Sequence, residues 1–259
     1  MDIRPIVQTL PSLWRFIQEL SAGVQVGTVA SAEDLIERSR AFYIPERMAE
    51  IERVIPGWAR MASYAGGRTL WHVNEAMVAL LRLAEYHEAS ERDQAALEWV
   101  IFLHDLAKEP DGGRDHRHAF RSVAAVGAIL PRLGFPVSSA YQSEFHRWFE
   151  LTDRATRFDT DLGYDVQDND KLSLILGGIR RMFGEPTRSA LAAICLHQSI
   201  TVLADWPVPA PISSRQASAF IDDQTRRYLL VVMLADTGGW NLFDPPTLRA
   251  MYNEIRSVF

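Results

Sequence analysis

The sequence predicts an all-α protein. Apolar residues recur at helical spacing, for example at Val73, Met77 and Leu80, which places them on one face of a helix. Helix starts are marked by pairs such as Ser31 and Asp34, three residues apart, which is close to a capping box. No stretch alternates apolar and polar residues convincingly, and no internal repeat is visible. These observations favour helices throughout the chain.

In the first half of the chain, helices are predicted at 12–20, 31–42, 45–64, 69–88 and 91–108. Pro45 suits the first turn of the third helix, and Pro56 interrupts that helix. The helix at 91–108 is apolar almost all round, which is typical of a helix in the middle of a bundle.

In the second half, helices are predicted at 116–133, 141–156, 169–182, 187–205, 216–237 and 246–258. Gly134 suits the C-terminal cap of the first of these, and Pro245 suits the start of the last. Residues 206–214 contain three prolines, which predicts a stiff loop.

Composition excludes several classes of protein. A net charge of −6 over 259 residues argues against a broad nucleic-acid-binding surface, which is usually basic. Cys195 is the single cysteine, so no internal disulfide forms, and this fits a reducing compartment. The N-terminus does not read as a signal peptide, and the apolar runs are too short to cross a bilayer. A soluble cytoplasmic protein is therefore expected.

The pair His104-Asp105 lies near the end of the apolar helix 91–108. Burying either group without a partner costs several kcal/mol, about 2–7 for a neutral polar group, and a divalent cation would satisfy both. His72 lies at the edge of the apolar face of the preceding helix, and Asp236 ends another apolar run. Two imidazoles and two carboxylates suit Mn²⁺, Fe²⁺, Co²⁺, Ni²⁺, Zn²⁺ or Mg²⁺, and ligand type alone does not choose among them.

The acidic segment 157–170, which runs into the start of the helix at 169–182, is a second candidate cation site. The spacing of its carboxylates lacks the central glycine and terminal glutamate of an EF-hand loop, so a solvated acidic loop is favoured. The acidic residues are Asp159, Asp161, Asp165, Asp168 and Asp170.

The ordered set His72, His104-Asp105 and Asp236 resembles the H…HD…D signature of the HD superfamily of metal-dependent phosphohydrolases. The stretch HDLAK is similar to the common HD-x-x-K form, with Lys108 in the lysine position. The resemblance implies a helical bundle in which these four residues bind a first metal ion.

The resemblance covers roughly residues 68–240. It implies a metal-binding helical domain at 68–259, preceded by a short N-terminal helical segment at 1–67 that shows no resemblance of its own.

Members that bind two ions add histidines between the HD pair and the last aspartate. His118, His146 and His197 are the candidates here, and His118 and His197 are favoured. Asp205 rivals Asp236 as the final ligand, but Asp236 matches better because it ends a long apolar helix. One ion and two ions both remain open.

The resemblance also implies roles in catalysis and substrate binding. Asp105 would position or deprotonate the attacking water, and Lys108 would lie near a phosphate or, alternatively, complement a helix dipole. Arg114, Arg117 and Arg121 would bind an anionic substrate or else only solvate their helix. Trp240, one turn beyond Asp236, is a candidate wall of the pocket, although core packing is favoured.

The function expected from this resemblance is hydrolysis of a nucleotide or another small phosphoester through a metal-activated water. One alternative is a di-iron oxygenase of the same fold that cleaves C–C or C–P bonds. Another is a non-catalytic module that binds a nucleotide or RNA. A small phosphorylated substrate is the expected partner, and a membrane or nucleic acid is not; the oligomeric state is left open.

Overall fold

The computed structural model of the protein describes residues 2–108, 118–155, 170–200, 202, 208 and 211–259. Within these residues the chain forms fifteen α-helices and no β-strand, which confirms the predicted fold class. The helices are α1 (Ile6–Thr9), α2 (Pro11–Val26), α3 (Ala32–Phe42), α4 (Pro45–Val54), α5 (Trp58–Ser63), α6 (Arg68–Leu80), α7 (Ala84–His87), α8 (Glu91–Leu103), α9 (His118–Ile129), α10 (Tyr141–Ala155), α11 (Asp170–Met182), α12 (Thr187–Leu196), α13 (Ser214–Phe220), α14 (Asp223–Trp240) and α15 (Pro245–Val258).

Four of the residues predicted to mark helix ends do so in the structure. The Ser31 side chain accepts from the Asp34 N–H, and the Asp34 side chain accepts from the Ser31 backbone in return, which is a full capping box. Pro45 and Pro245 are the first residues of α4 and α15. Gly134 has φ of +89° and ends the 3-10 turn that follows α9.

The prediction of two continuous helices is wrong, because each is interrupted in the structure. The helix expected at 69–88 is divided between α6 and α7, with Leu83 extended and buried between them. The helix expected at 216–237 is divided at Asp222, whose carboxylate accepts from the Thr225 N–H at 2.8 Å and starts α14. Apolar residues keep their helical spacing across both breaks, so the spacing does not reveal them. Asp222, as a helix N-cap, is the sequence signal for the break between α13 and α14.

The centre of the molecule is built from α6, α8, α12 and α14, which pack against one another. Helix α9 packs on the outer side of α12. Every residue of α8 from Ala95 to Leu103 is buried, as expected of a helix that is apolar all round. Polar side chains that enter this centre therefore need partners there.

The N-terminal helices cover one side of this centre. Helices α2 and α3 pack on α6, and α1 packs on α8. The Trp99 indole N–H donates to the Arg4 carbonyl at 2.7 Å, and the Tyr43 hydroxyl donates to Asn74 Oδ1 at 2.8 Å. The proposed division at residue 67 stays a prediction. None of the described helices combines the length and apolarity needed to cross a bilayer.

Candidate metal centre

Six side chains from five places in the chain meet at one end of the central helices. His72 lies within α6 and Asp236 within α14, whereas the others lie at or just beyond a helix end. They form two clusters, one of His72, His104 and Asp236 and one of Asp105, His118 and His197. In each cluster the ligand atoms lie within 4.8 Å of one another. We call them the first cluster and the second cluster.

The first cluster is centred on one carboxylate oxygen. Asp236 Oδ1 lies 2.7 Å from His72 Nε2 and 3.6 Å from His104 Nε2. The imidazoles of His72 and His104 are buried, whereas the Asp236 side chain is 19% exposed. Access to the first cluster from solvent is therefore on the Asp236 side.

The second cluster is buried more completely. Asp105 Oδ1 lies 2.9 Å from His118 Nε2, and His118 Nε2 lies 3.1 Å from His197 Nε2. The two clusters adjoin, because Asp105 Oδ1 is also 3.6 Å from His104 Nε2. Asp105 thus stands between them, where one carboxylate can serve two cations.

These spacings fit metal ligands. Donors about 2.0–2.2 Å from one ion, at angles near 90–110°, are about 2.8–3.6 Å apart. Four of the ligand pairs lie close to this range, from 2.7 Å to 3.6 Å, and all pairs within a cluster lie within 4.8 Å. Neither cluster contains a thiolate, so the donors are imidazole nitrogen and carboxylate oxygen, as the sequence predicts.

Two of the histidines are oriented by the same local contact. Nδ1 of His104 lies 2.7 Å from the Ile101 carbonyl, and Nδ1 of His197 lies 2.7 Å from the Ile194 carbonyl. A carbonyl only accepts, so each Nδ1 carries a hydrogen, and Nε2 is the nitrogen that each ring directs into the site. Both rings thereby satisfy carbonyls at the ends of α8 and α12.

Both helices end close to these histidines, earlier than predicted. Helix α8 ends at Leu103 rather than residue 108, and α12 ends at Leu196 rather than residue 205. The shared local pattern is I-x-L-H, in Ile101–His104 and again in Ile194–His197. That repeat is a sequence signal for equivalent roles of the two histidines.

The inward nitrogen of His104 points to a cation. His104 Nε2 is fully buried and has no hydrogen-bond partner among the described residues. A buried polar atom in this state needs an explanation. Burial lowers the pKa of His104, but the carboxylates of Asp105 and Asp236 outweigh burial and raise it to about 9. The two carboxylates therefore favour positive charge at this nitrogen, and a divalent cation would supply it.

Four of the other ligands, Asp105, Asp236, His72 and His197, are in the protonation states that metal binding needs. Burial would raise the pKa of Asp105 and Asp236. The neighbouring histidines, joined at Asp105 by Lys108, outweigh burial and hold both pKa values well below the usual range. Burial lowers the pKa of His72, and burial together with His118 lowers the pKa of His197 to about 3. At neutral pH, ionised carboxylates and neutral imidazoles are thus available.

A glycine lets α14 approach α6 closely enough for Asp236 to reach His72. A Cβ on Gly239 would lie 2.9 Å from the Ala76 nitrogen and 3.2 Å from His72 Nδ1. Gly238 and Gly239 lie inside α14 and are buried. Helix α14 therefore continues through both glycines, and Asp236 does not cap a turn there.

We expect Gly239→Ala to destabilise the fold by about 1–3 kcal/mol and to weaken metal retention, because the new methyl group meets the backbone of α6. Gly177→Ala is the matched control: its Cβ meets only Arg181 Nη1, at 3.6 Å, in the middle of α11. This control should stabilise by about 0.5–1 kcal/mol. Denaturant unfolding and metal content measure both effects. A Gly239→Ala protein as stable and as metal-rich as the wild type contradicts the packing argument.

Lys108 and Arg121 both contact the segment that carries the HD pair. Lys108 Nζ lies 2.8 Å from Asp105 Oδ2, which leaves Asp105 Oδ1 directed at the two clusters. Arg121 Nε donates to the Ala107 carbonyl at 3.1 Å. These contacts hold both side chains against the segment that follows α8.

Several sequence candidates lie away from the clusters or outside the described residues. His146, the third candidate histidine, has a side chain that is 89% exposed and lies 3.3 Å from Glu150. Arg114, Arg117 and Asp205 lie outside the described residues. So does the acidic segment, except for Asp170 at the start of α11.

Trp240 is the site residue that the sequence places wrongly. The sequence favours core packing, but Trp240 is 49% exposed. Its indole stacks on His72, with ring centroids 4.1 Å apart and an interplanar angle of 18°. Its position one turn beyond Asp236 indicates the shared helix face, but not that this face lies open.

Comparison with known proteins gives no assignment: no family model, curated protein or solved structure matches this chain.

Proposed function

We propose that the protein is a metal-dependent phosphohydrolase of the HD superfamily that acts on a nucleotide or another small phosphoester and holds two divalent ions. The observation that carries this proposal is the convergence of His72, His104, Asp105 and Asp236 with an unpartnered His104 Nε2 among them. These residues are distant along the chain and follow the order of the H…HD…D signature.

The first cluster would hold one ion and the second cluster the other, with Asp105 between them. Bound divalent ions lower the pKa of water toward neutrality and offset charge on phosphoryl oxygens. The ionised Asp105 would help to hold the ions and orient the attacking water between them. His104 and His197 would keep fixed tautomers through their backbone contacts, so these two rings need no rearrangement during turnover.

Lys108 supports the choice of a phosphoester over an uncharged substrate. Its ammonium group pairs with Asp105, and its side chain is 18% exposed. The ammonium also lies 5.9 Å from the ring of Trp240, which stacks on His72. A cation at the mouth of the site attracts a phosphoryl group and keeps Asp105 ionised and correctly directed. Lys108 would thus be a positioning residue for Asp105 and an electrostatic partner of the substrate.

A di-iron oxygenase is the second candidate, and the second cluster is the observation that favours it. The cluster of Asp105, His118 and His197 provides mixed imidazole and carboxylate ligands, which also suit iron. Iron bound at about two ions per chain, with O₂ uptake that depends on an organic substrate, would select this function over hydrolysis.

The test is phosphate release from a panel of nucleotides and small phosphomonoesters. The protein is assayed after chelation and after re-addition of Mn²⁺, Co²⁺, Zn²⁺ or Mg²⁺. We expect activity to disappear on chelation and return with metal, and His104→Ala to be inactive while folded. His146→Ala is the matched control, because that imidazole is exposed away from the clusters. Hydrolysis that persists in chelator, or in folded His104→Ala protein, contradicts the proposal.

A further inference from the structure

Trp240 presents a large aromatic surface to solvent at the open side of the site. The side chain is 49% exposed, although an indole of this size is usually mostly buried. One face of the indole stacks on the metal-ligand candidate His72. Trp240 also lies one helical turn beyond Asp236. Asp236 is the residue of the first cluster whose side chain is partly exposed.

Two cationic side chains accompany the indole. The Lys108 ammonium lies 5.9 Å from the Trp240 ring centroid, and the Arg68 guanidinium carbon lies 5.8 Å from it. Both distances lie within the roughly 6 Å range of a cation–π interaction, while the Trp240 side chain remains 49% exposed. The combination provides a flat apolar surface bordered by positive charge.

This combination has a matching ligand chemistry. A planar ring stacks on an indole, and a negatively charged group on that ring interacts with nearby lysine and arginine. Lys108 ties this surface to the clusters, because its ammonium also pairs with Asp105. An anionic group that is held between Lys108 and the first cluster would leave its attached ring beside Trp240.

We propose that Trp240, bordered by Arg68 and Lys108, is the surface that selects substrates in which an aromatic ring is attached to the phosphoryl group or lies close to it. The inference rests on the proposed phosphohydrolase function and adds a substrate class to it. Trp240 contacts the ring of the substrate, and the two cations contact its charged group.

A purely structural role for Trp240 makes a different prediction. If the indole only holds His72 in place, its loss weakens metal binding and affects all anionic ligands equally. A stacking surface instead changes the preference between a planar and a non-planar ligand of equal charge. The two roles are therefore separated by a ratio of affinities rather than by a single affinity.

The probes are phenylphosphonate and cyclohexylphosphonate, which have rings of similar size and resist hydrolysis. They are compared at a pH at which both are fully ionised, so that their charges are equal. Calorimetry with the metal-loaded full chain gives their dissociation constants, with inorganic phosphate as a reference. We expect wild-type protein to bind phenylphosphonate about 2- to 10-fold more tightly than cyclohexylphosphonate. Trp240→Phe should retain part of this preference, and Trp240→Leu should lose it. Metal content is measured for each variant.

Equal affinity of wild-type protein for the two phosphonates overturns the proposal, as does an unchanged preference in Trp240→Leu protein. Inorganic phosphate separates this failure from failure of the proposed function. If phosphate binds but the two phosphonates bind equally, only the role of Trp240 is wrong. If metal-loaded protein binds none of the three anions, both the phosphohydrolase and its substrate class are rejected.

Discussion

Asp105→Asn should leave the folded protein unable to retain either ion tightly and should lower phosphoester hydrolysis by at least about 1000-fold, which corresponds to about 4 kcal/mol in the transition state. The reason is the position of Asp105 between the clusters, with Oδ1 2.9 Å from His118 Nε2 and 3.6 Å from His104 Nε2. A neutral amide of the same shape removes the charge that both ions share. Elemental analysis and phosphate release measure the two effects.

Glu98→Gln is the control for the loss of a buried carboxylate. Glu98 is buried in α8, the same helix that leads to the HD pair, and its Oε1 accepts from the Tyr86 hydroxyl at 2.8 Å. This variant should retain both ions and full activity. If Asp105→Asn protein keeps two ions and hydrolyses at the wild-type rate, Asp105 does not join the clusters.

His197→Ala should remove one ion and leave the other. His197 belongs to the second cluster, and its Nε2 lies 3.1 Å from His118 Nε2. The first cluster keeps all of its ligands, so metal content should fall from about two ions per chain to about one. Turnover should fall by about 100-fold or more, because a two-ion site stabilises both the attacking and the leaving oxygen.

Cys195→Ala is the matched control for His197→Ala. Cys195 is buried near the end of the same helix and belongs to neither cluster. Its loss should leave metal content unchanged. A His197→Ala protein that retains about two ions would show that the second cluster is only a buried hydrogen-bonded group.

Much of the candidate site could be predicted from the sequence because its residues conflict with their surroundings. His104 and Asp105 follow a run of nine buried residues in α8, where an unpaired polar group is costly. The order of His72, the HD pair and Asp236 then indicates which other residues join them. The structure brings these four residues together and adds His118 and His197, the two histidines favoured for a second ion.

Other features depend on contacts that periodicity does not contain. The breaks at Leu83 and Asp222 preserve the apolar period, so the predicted helices run through them. Trp240 follows Asp236 by four residues, which indicates a shared face but not whether another helix covers it. The close approach of Gly239 to α6 likewise needs the positions of both helices.

The two occurrences of the I-x-L-H pattern, at Ile101–His104 and Ile194–His197, are a sequence signal that favours His197 as a metal ligand. His104 and His197 both follow a buried helix end, and both donate from Nδ1 to the carbonyl three residues earlier. The recurrence of this short pattern distinguishes His197 from His146, which lies on an exposed face of α10. Matching local patterns around candidate ligands are thus a useful criterion for choosing among single histidines.

The most direct test of the central claim is elemental analysis of the purified full-length chain, before and after chelation and reconstitution with a divalent metal. The two clusters predict about two ions per chain, held by imidazole and carboxylate ligands. A chain that retains no ion on purification, and takes up none at micromolar concentration on reconstitution, would contradict the claim that these six side chains form a metal centre.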